Sequence, residues 1–147
     1  MKILALDLSS PSGSLALMED GVVAAEAFSP GAVVHSTWLP GAVRDFLDSE
    51  RRSLDEIDVF ATTIGPGSFT GTRVAVSTVK GLAWGLGRRV YGASTLKAIA
   101  LNIDTAGAIC AVLDARKGEI YAALYRKGPM GALETLMDEG VMTPAAL

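Results

Sequence analysis

Gly65-Pro66-Gly67-Ser68-Phe69-Thr70-Gly71-Thr72-Arg73 stands between two apolar segments of different period. Val59 to Ile64, before it, is short, apolar and β-branched enough for a buried strand, whereas Arg73 to Leu86, after it, has helical periodicity. Strand, glycine loop and helix therefore follow in order, and the class is α/β. The three glycines leave backbone N–H groups free to face an anion or a partner. No Gly-Lys-Ser/Thr follows them, so this is not a phosphate-binding P-loop, and a tight connection explains the same spacing.

Working outward toward the amino terminus, Lys2 to Leu8 reads as a buried strand, Ser9 to Gly13 as a turn and Ser14 to Met18 as a second strand. Glu19-Asp20-Gly21 closes a hairpin into Val22 to Phe28, because Asp-Gly supplies positive φ at low cost. Ser36 is a candidate cap for a helix to about Asp48 that carries Leu39, Val43, Phe46 and Leu47 on one face, with Pro40 near its first turn. Ser53 and Glu56 have the spacing of a capping box. Beyond the long helix, Arg88 to Gly92 returns as a strand and Ser94 caps a helix through about Ile103.

Ala108 to Leu113 and Glu119 to Tyr125 are again strands, joined by Asp114-Ala115-Arg116-Lys117-Gly118. Leu113-Asp114 repeats Leu6-Asp7: an apolar strand ends in aspartate and turns into a second apolar strand. Internal duplication is the natural inference. The expected organisation is a first lobe over residues 1–104 and the start of a second over 105–147. Thr143-Pro144 is a helix-start signal with only three residues after it, so the second lobe is expected to be incomplete.

Bulk properties restrict the function. The 147 residues are enough for a core that buries roughly 68–70% of the unfolded surface. Half are hydrophobic and 20% charged, with net charge -3, which supports neither disorder nor a basic nucleic-acid footprint. RNA, if handled, is expected to be carried by another subunit. Cys110 is alone, so no internal disulfide forms and a reducing cytoplasm is the expected compartment. The opening apolar run is too short for a signal peptide, and no stretch reads as a membrane span.

Candidate chemistry is sparse. Asp7 with Ser9, Ser10 and Ser12 suits a strand-end carboxylate beside backbone donors for phosphate, and equally an Asx-turn that caps its own hairpin. Asp114 and Arg116 have the same two readings, with a surface turn or a contact to another chain favoured by their mixed charge. His35 is the only histidine, which leaves no imidazole pair for a metal and no expected metal site. Ser68 and Thr70 lack a neighbouring base in sequence, so no catalytic residue is assigned. On the long helix, Ala75, Val79, Leu82, Ala83 and Leu86 form the stripe for the sheet, while Arg73, Ser77, Lys80 and Trp84 recur on the opposite face. With Trp38 and Val43 of the earlier helix, that outward row is the expected partner interface.

Four segments together resemble the TsaB (YeaZ) family: Ile3 to Ser10, Gly65 to Arg73, Gly92 to Leu96, and Asp114 to Tyr121. The resemblance extends over essentially the whole chain. It implies an actin/Hsp70/sugar-kinase-like, ribonuclease-H-like duplicated fold and a part in making the threonylcarbamoyl modification of tRNA. It implies partnership with the paralogue TsaD and the ATPase TsaE, no membrane, tRNA contact only indirectly, and no tightly bound cofactor. ATP or ADP at the interface of the complex, and a homodimer, stay open. TsaD-like relatives carry a His-x-x-x-His metal pair where this chain has Ser94-Thr95-Leu96-Lys97-Ala98-Ile99, which points to a noncatalytic subunit and weakens the older glycoprotease label. The alternative is an ATP-dependent phosphotransferase or hydrolase of the same fold, resting on Asp7 and its serine turn.

Overall fold

The computed structural model describes residues 1–29, 35–105 and 107–147, with side chains described except at residues 35–38 and Met130. The chain forms two compact units. The first is Met1–Ile64 with Ser68–Ala93, and the second is Gly65–Gly67 with Ser94–Leu147.

In the first unit, β1 (Lys2–Asp7), β2 (Gly13–Glu19) and β3 (Val22–Ser29) run antiparallel, while β4 (Val59–Thr63) and β5 (Arg89–Ala93) add in parallel. The sheet order is β3-β2-β1-β4-β5. This mixed sheet has the ribonuclease-H-like arrangement expected of an actin/Hsp70/sugar-kinase-like lobe. The β2–β3 hairpin turns on Asp20 at φ 50° and Gly21 at φ 86°, the positive pair that Asp-Gly predicts.

Alternation along the strands sends Leu4, Leu6, Leu15, Leu17 and Phe60 to one face, where they meet helices α1 (His35–Ser49) and α2 (Phe69–Leu86) in a single core. The inward stripe of α1 is Leu39, Val43, Phe46 and Leu47, as its periodicity predicts. Two details differ from expectation. The helix starts at His35, so Ser36 lies inside its first turn rather than at its cap, and Pro40 falls in the second turn. The Ser53/Glu56 capping box is present but holds only a 3-10 turn, Leu54–Glu56.

Helix α2 begins earlier than its hydrophobic pattern suggested, because Ser68 caps it by accepting from the Gly71 N–H at 3.2 Å. Phe69, Thr70 and Gly71 are thus its first turn, and the connecting loop is shorter. Gly71 is buried, and a Cβ added there would lie 1.9 Å from the Leu8 carbonyl oxygen. Helix and strand meet backbone to backbone at this point, and the Ser68 N–H donates to the Ser9 carbonyl at 2.6 Å. The helix then buries Ala75, Val79 and Ala83, small enough to hold it near the sheet, and stops at Gly87 with φ 63°.

The second unit is a three-stranded antiparallel sheet, β6 (Ala108–Arg116), β7 (Glu119–Lys127) and β8 (Leu133–Met142), under the short helix α3 (Thr95–Leu101). Leu96 and Ala100 pack on Ile109, Ala111, Ala123 and Tyr125. The expected cap at Ser94 forms, accepting from Lys97 N–H at 3.2 Å. The helix ends two residues short of Ile103, where Lys127 Nζ donates to the Leu101 and Ile103 carbonyls. Strand β8 was not expected. Its register shifts against β7 around Ala122, Leu124 and Tyr125, so two-residue alternation is broken, and Thr143-Pro144 opens only a 3-10 turn over Pro144–Ala146.

Tyr125 is fully buried and donates to Glu139 Oε1 at 3.2 Å; Ser94 Oγ donates to the same oxygen. Burial, reinforced by the Glu139 charge, pushes the Tyr125 hydroxyl up to about 12.

Two stability predictions follow from these contacts. Gly71→Ala should lower stability by about 1–3 kcal/mol through overpacking, while Gly81→Ala and Gly85→Ala, exposed and with open space at the added Cβ, should raise it by up to ~1 kcal/mol each. Urea midpoints of the three variants decide this, and an unchanged Gly71→Ala would refute the close approach. For Tyr125 the folded value lies above the unfolded value of about 10, so its protonated form favours the fold. Its contribution is whole below about pH 10 and is lost as pH rises toward 12. Denaturant midpoints between pH 8 and 11.5 should therefore decline more steeply in the native protein than in Tyr125→Phe; equal slopes would overturn it.

Candidate functional site

The outward face of α2 carries the row expected from the sequence. Arg73, Ser77, Lys80 and Trp84 are all exposed, Trp84 at 90%. Phe69, which the sequence reading did not include, extends the row by one turn. It is 75% exposed, and the Arg73 guanidinium sits 5.1 Å from its ring centroid. Its spacing of four residues from Arg73 carries the signal, while the glycines on either side give the stretch the pattern of a loop. An exposed indole and phenyl flanking two cations on one helix face form a surface of the composition that protein interfaces favour.

Beside this row, α1 and α2 lie next to each other and enclose a groove of about 680 Å³. Its apolar lining includes Pro40, Val43, Leu47, Leu54 and Leu82; Arg44, Asp48 and Arg52 bring charge to it. Arg52 is held in place by Glu19, with Nε donating at 2.7 Å and Nη2 at 3.2 Å to the two carboxylate oxygens. That fork lowers the Glu19 carboxyl below its ordinary value and raises Arg52. Val43 is corrected by the structure in one respect: at 3% exposure it packs in the core with Leu39 and Phe46, on the inward stripe of α1, and meets the surface only as part of the groove lining. The Trp38 side chain lies outside the described residues.

Asp7 ends β1 beside the end of β4. Its Oδ1 accepts from the Ser9 N–H at 3.2 Å and from the buried Thr63 hydroxyl, so the Asx-turn forms and a second strand is tied to it. Thr63 was missed by sequence reasoning. Its signal is positional only, as the last residue of β4 in parallel register next to β1. The serine turn closes on itself: Ser10 Oγ and Ser12 Oγ are 2.8 Å apart, and the Ser12 N–H donates to Ser10 Oγ at 3.3 Å.

Asp114 repeats the device in the second unit, where its Oδ1 accepts from the Arg116 N–H at 2.7 Å. Both residues are exposed, and Arg116, Lys117 and Gly118 turn the chain at φ 69°, 55° and 79°. In the glycine loop, Gly65 and Gly67 adopt φ of 109° and 153°, which side-chain-bearing residues rarely adopt. Gly71 does not: its requirement is space. The α2 row with its groove and the Asp7 turn belong to the first unit, and the Asp114 turn belongs to the second.

Known proteins give the context. The family model for TsaD, tRNA N6-adenosine threonylcarbamoyltransferase, matches residues 22–147. The tRNA threonylcarbamoyladenosine biosynthesis protein TsaB of Escherichia coli is 35% identical over 147 residues, covering 98% of this chain and 63% of that protein. TsaB of Bacillus subtilis is 34% identical over 146 residues, covering 97% and 62%. The chain thus spans less than two thirds of the length of these two relatives. The solved structure of YeaZ from Pseudomonas aeruginosa matches with a TM-score of 0.88 and 34% identity, covering 97% of this chain and 68% of that one. Sequence and backbone agree along nearly the whole chain, and it belongs to the TsaB/YeaZ family.

Proposed function

We propose that this chain is a noncatalytic subunit that binds and activates TsaD, together with TsaE, in threonylcarbamoyladenosine modification of tRNA. The observation that carries the reading is the exposed Phe69/Arg73/Lys80/Trp84 row on α2 beside an apolar groove, a surface for a protein partner. The TsaB relatives supply the pathway, since their names place them in threonylcarbamoyladenosine biosynthesis. The net charge of -3 supports indirect contact with tRNA, because backbone-driven affinity requires clustered cations that release counterions. Ser94-Thr95-Leu96-Lys97 in place of an imidazole pair supports a noncatalytic role. Activation would come from binding a competent state of the partner more tightly than its resting state. The same α2 row offers a surface for self-association, and ATP or ADP would be held at the interface of the complex rather than by this chain alone.

The alternative, an ATP-dependent phosphotransferase or hydrolase, rests on Asp7. Its Oδ1 already serves Thr63 and Ser9, and the neighbouring serines bond one another, which supports architecture over phosphate binding. Thr63→Val should accordingly lower stability by about 1–2 kcal/mol by stripping a hydrogen bond from a carboxylate. It should leave no ATP turnover to lose; steady hydrolysis by the purified chain would favour the enzyme.

Trp84→Asp with Lys80→Glu should leave the circular dichroism spectrum and urea midpoint unchanged, because both side chains are exposed. The same change should raise the Kd for TsaD by at least about 30-fold. Light scattering on mixtures would detect the loss, and wild-type affinity in the variant would refute the surface. Reconstitution of tRNA modification with TsaD and TsaE, with and without this chain, tests the role itself. Stimulation with no transfer in the absence of TsaD is the expected result, and transfer by the chain alone would refute the noncatalytic reading.

A further inference from the structure

We draw no further inference here: the strongest candidate, the open face of the β1–β5 sheet on which Ala5, Ala16 and Ala61 lie in register between the β3 edge with exposed Phe28 and the β5 edge with exposed Tyr91, carries none because nothing in the structure shows what covers it.

Discussion

The contact between Gly71 and the Leu8 carbonyl is the constraint on which the first unit turns. Helix α2 is the longest element among the described residues, and its first turn lies against the end of β1 with no side chain between them. A Cβ at position 71 would meet backbone atoms of Leu8, so the first turn of the helix or the end of the strand would have to shift. With Gly71 in place, Ala75, Val79 and Ala83 follow at one-turn intervals and are buried, so the helix keeps one rotation about its axis. That rotation turns Arg73, Ser77, Lys80 and Trp84 outward. The composition of the candidate surface is therefore decided by a glycine on the opposite side of the helix.

Much of this was legible because the first unit obeys its periods. Two-residue alternation in β1 and β2, the stripes of α1 and α2, the Asp20-Gly21 turn and the Ser94 cap are each set by neighbours in sequence. What escaped depends on neighbours in space. Gly71 reads as one more loop glycine until the Leu8 carbonyl is placed beside it. Thr63 is a β-branched residue ending a strand until β4 pairs with β1. Val43 has the hydrophobicity of an interface anchor and of a core residue alike, and only the rotation of α1 separates the two. Strand β8 escaped because its bulges break the alternation by which a strand is recognised, and Glu134, Asp138 and Glu139 give it the look of a polar loop.

The two units share one local device. An aspartate stands at the end of β1 and two residues before the end of β6, its Oδ1 takes the N–H two residues on, and the chain returns antiparallel. Local geometry explains why an aspartate suits both places, since the Asx bond stabilises the turn without help from elsewhere. Their surroundings have diverged. Around Asp7 the hydroxyl of buried Thr63 adds a tie to a neighbouring strand, whereas Asp114 is exposed and faces a turn of mixed charge. The local bond recurs in both hairpins, while the partners around each aspartate differ.

A strand-end carboxylate becomes useful to phosphate chemistry when it can hold a hydrated cation and when the nearby donors are free to meet an anion. At Asp7 the accepting oxygen is engaged twice, and Ser10 and Ser12 use their hydroxyls on each other. Opening that turn for a phosphate would break bonds that already satisfy its polar groups, so a ligand would have to replace them before gaining anything new. The α2 row carries no such cost. Its indole and phenyl are already in water, and burying them against a partner releases that water without disturbing the fold beneath. This difference in cost supports the proposed reading of the α2 row as a protein surface over phosphate chemistry at the Asp7 turn.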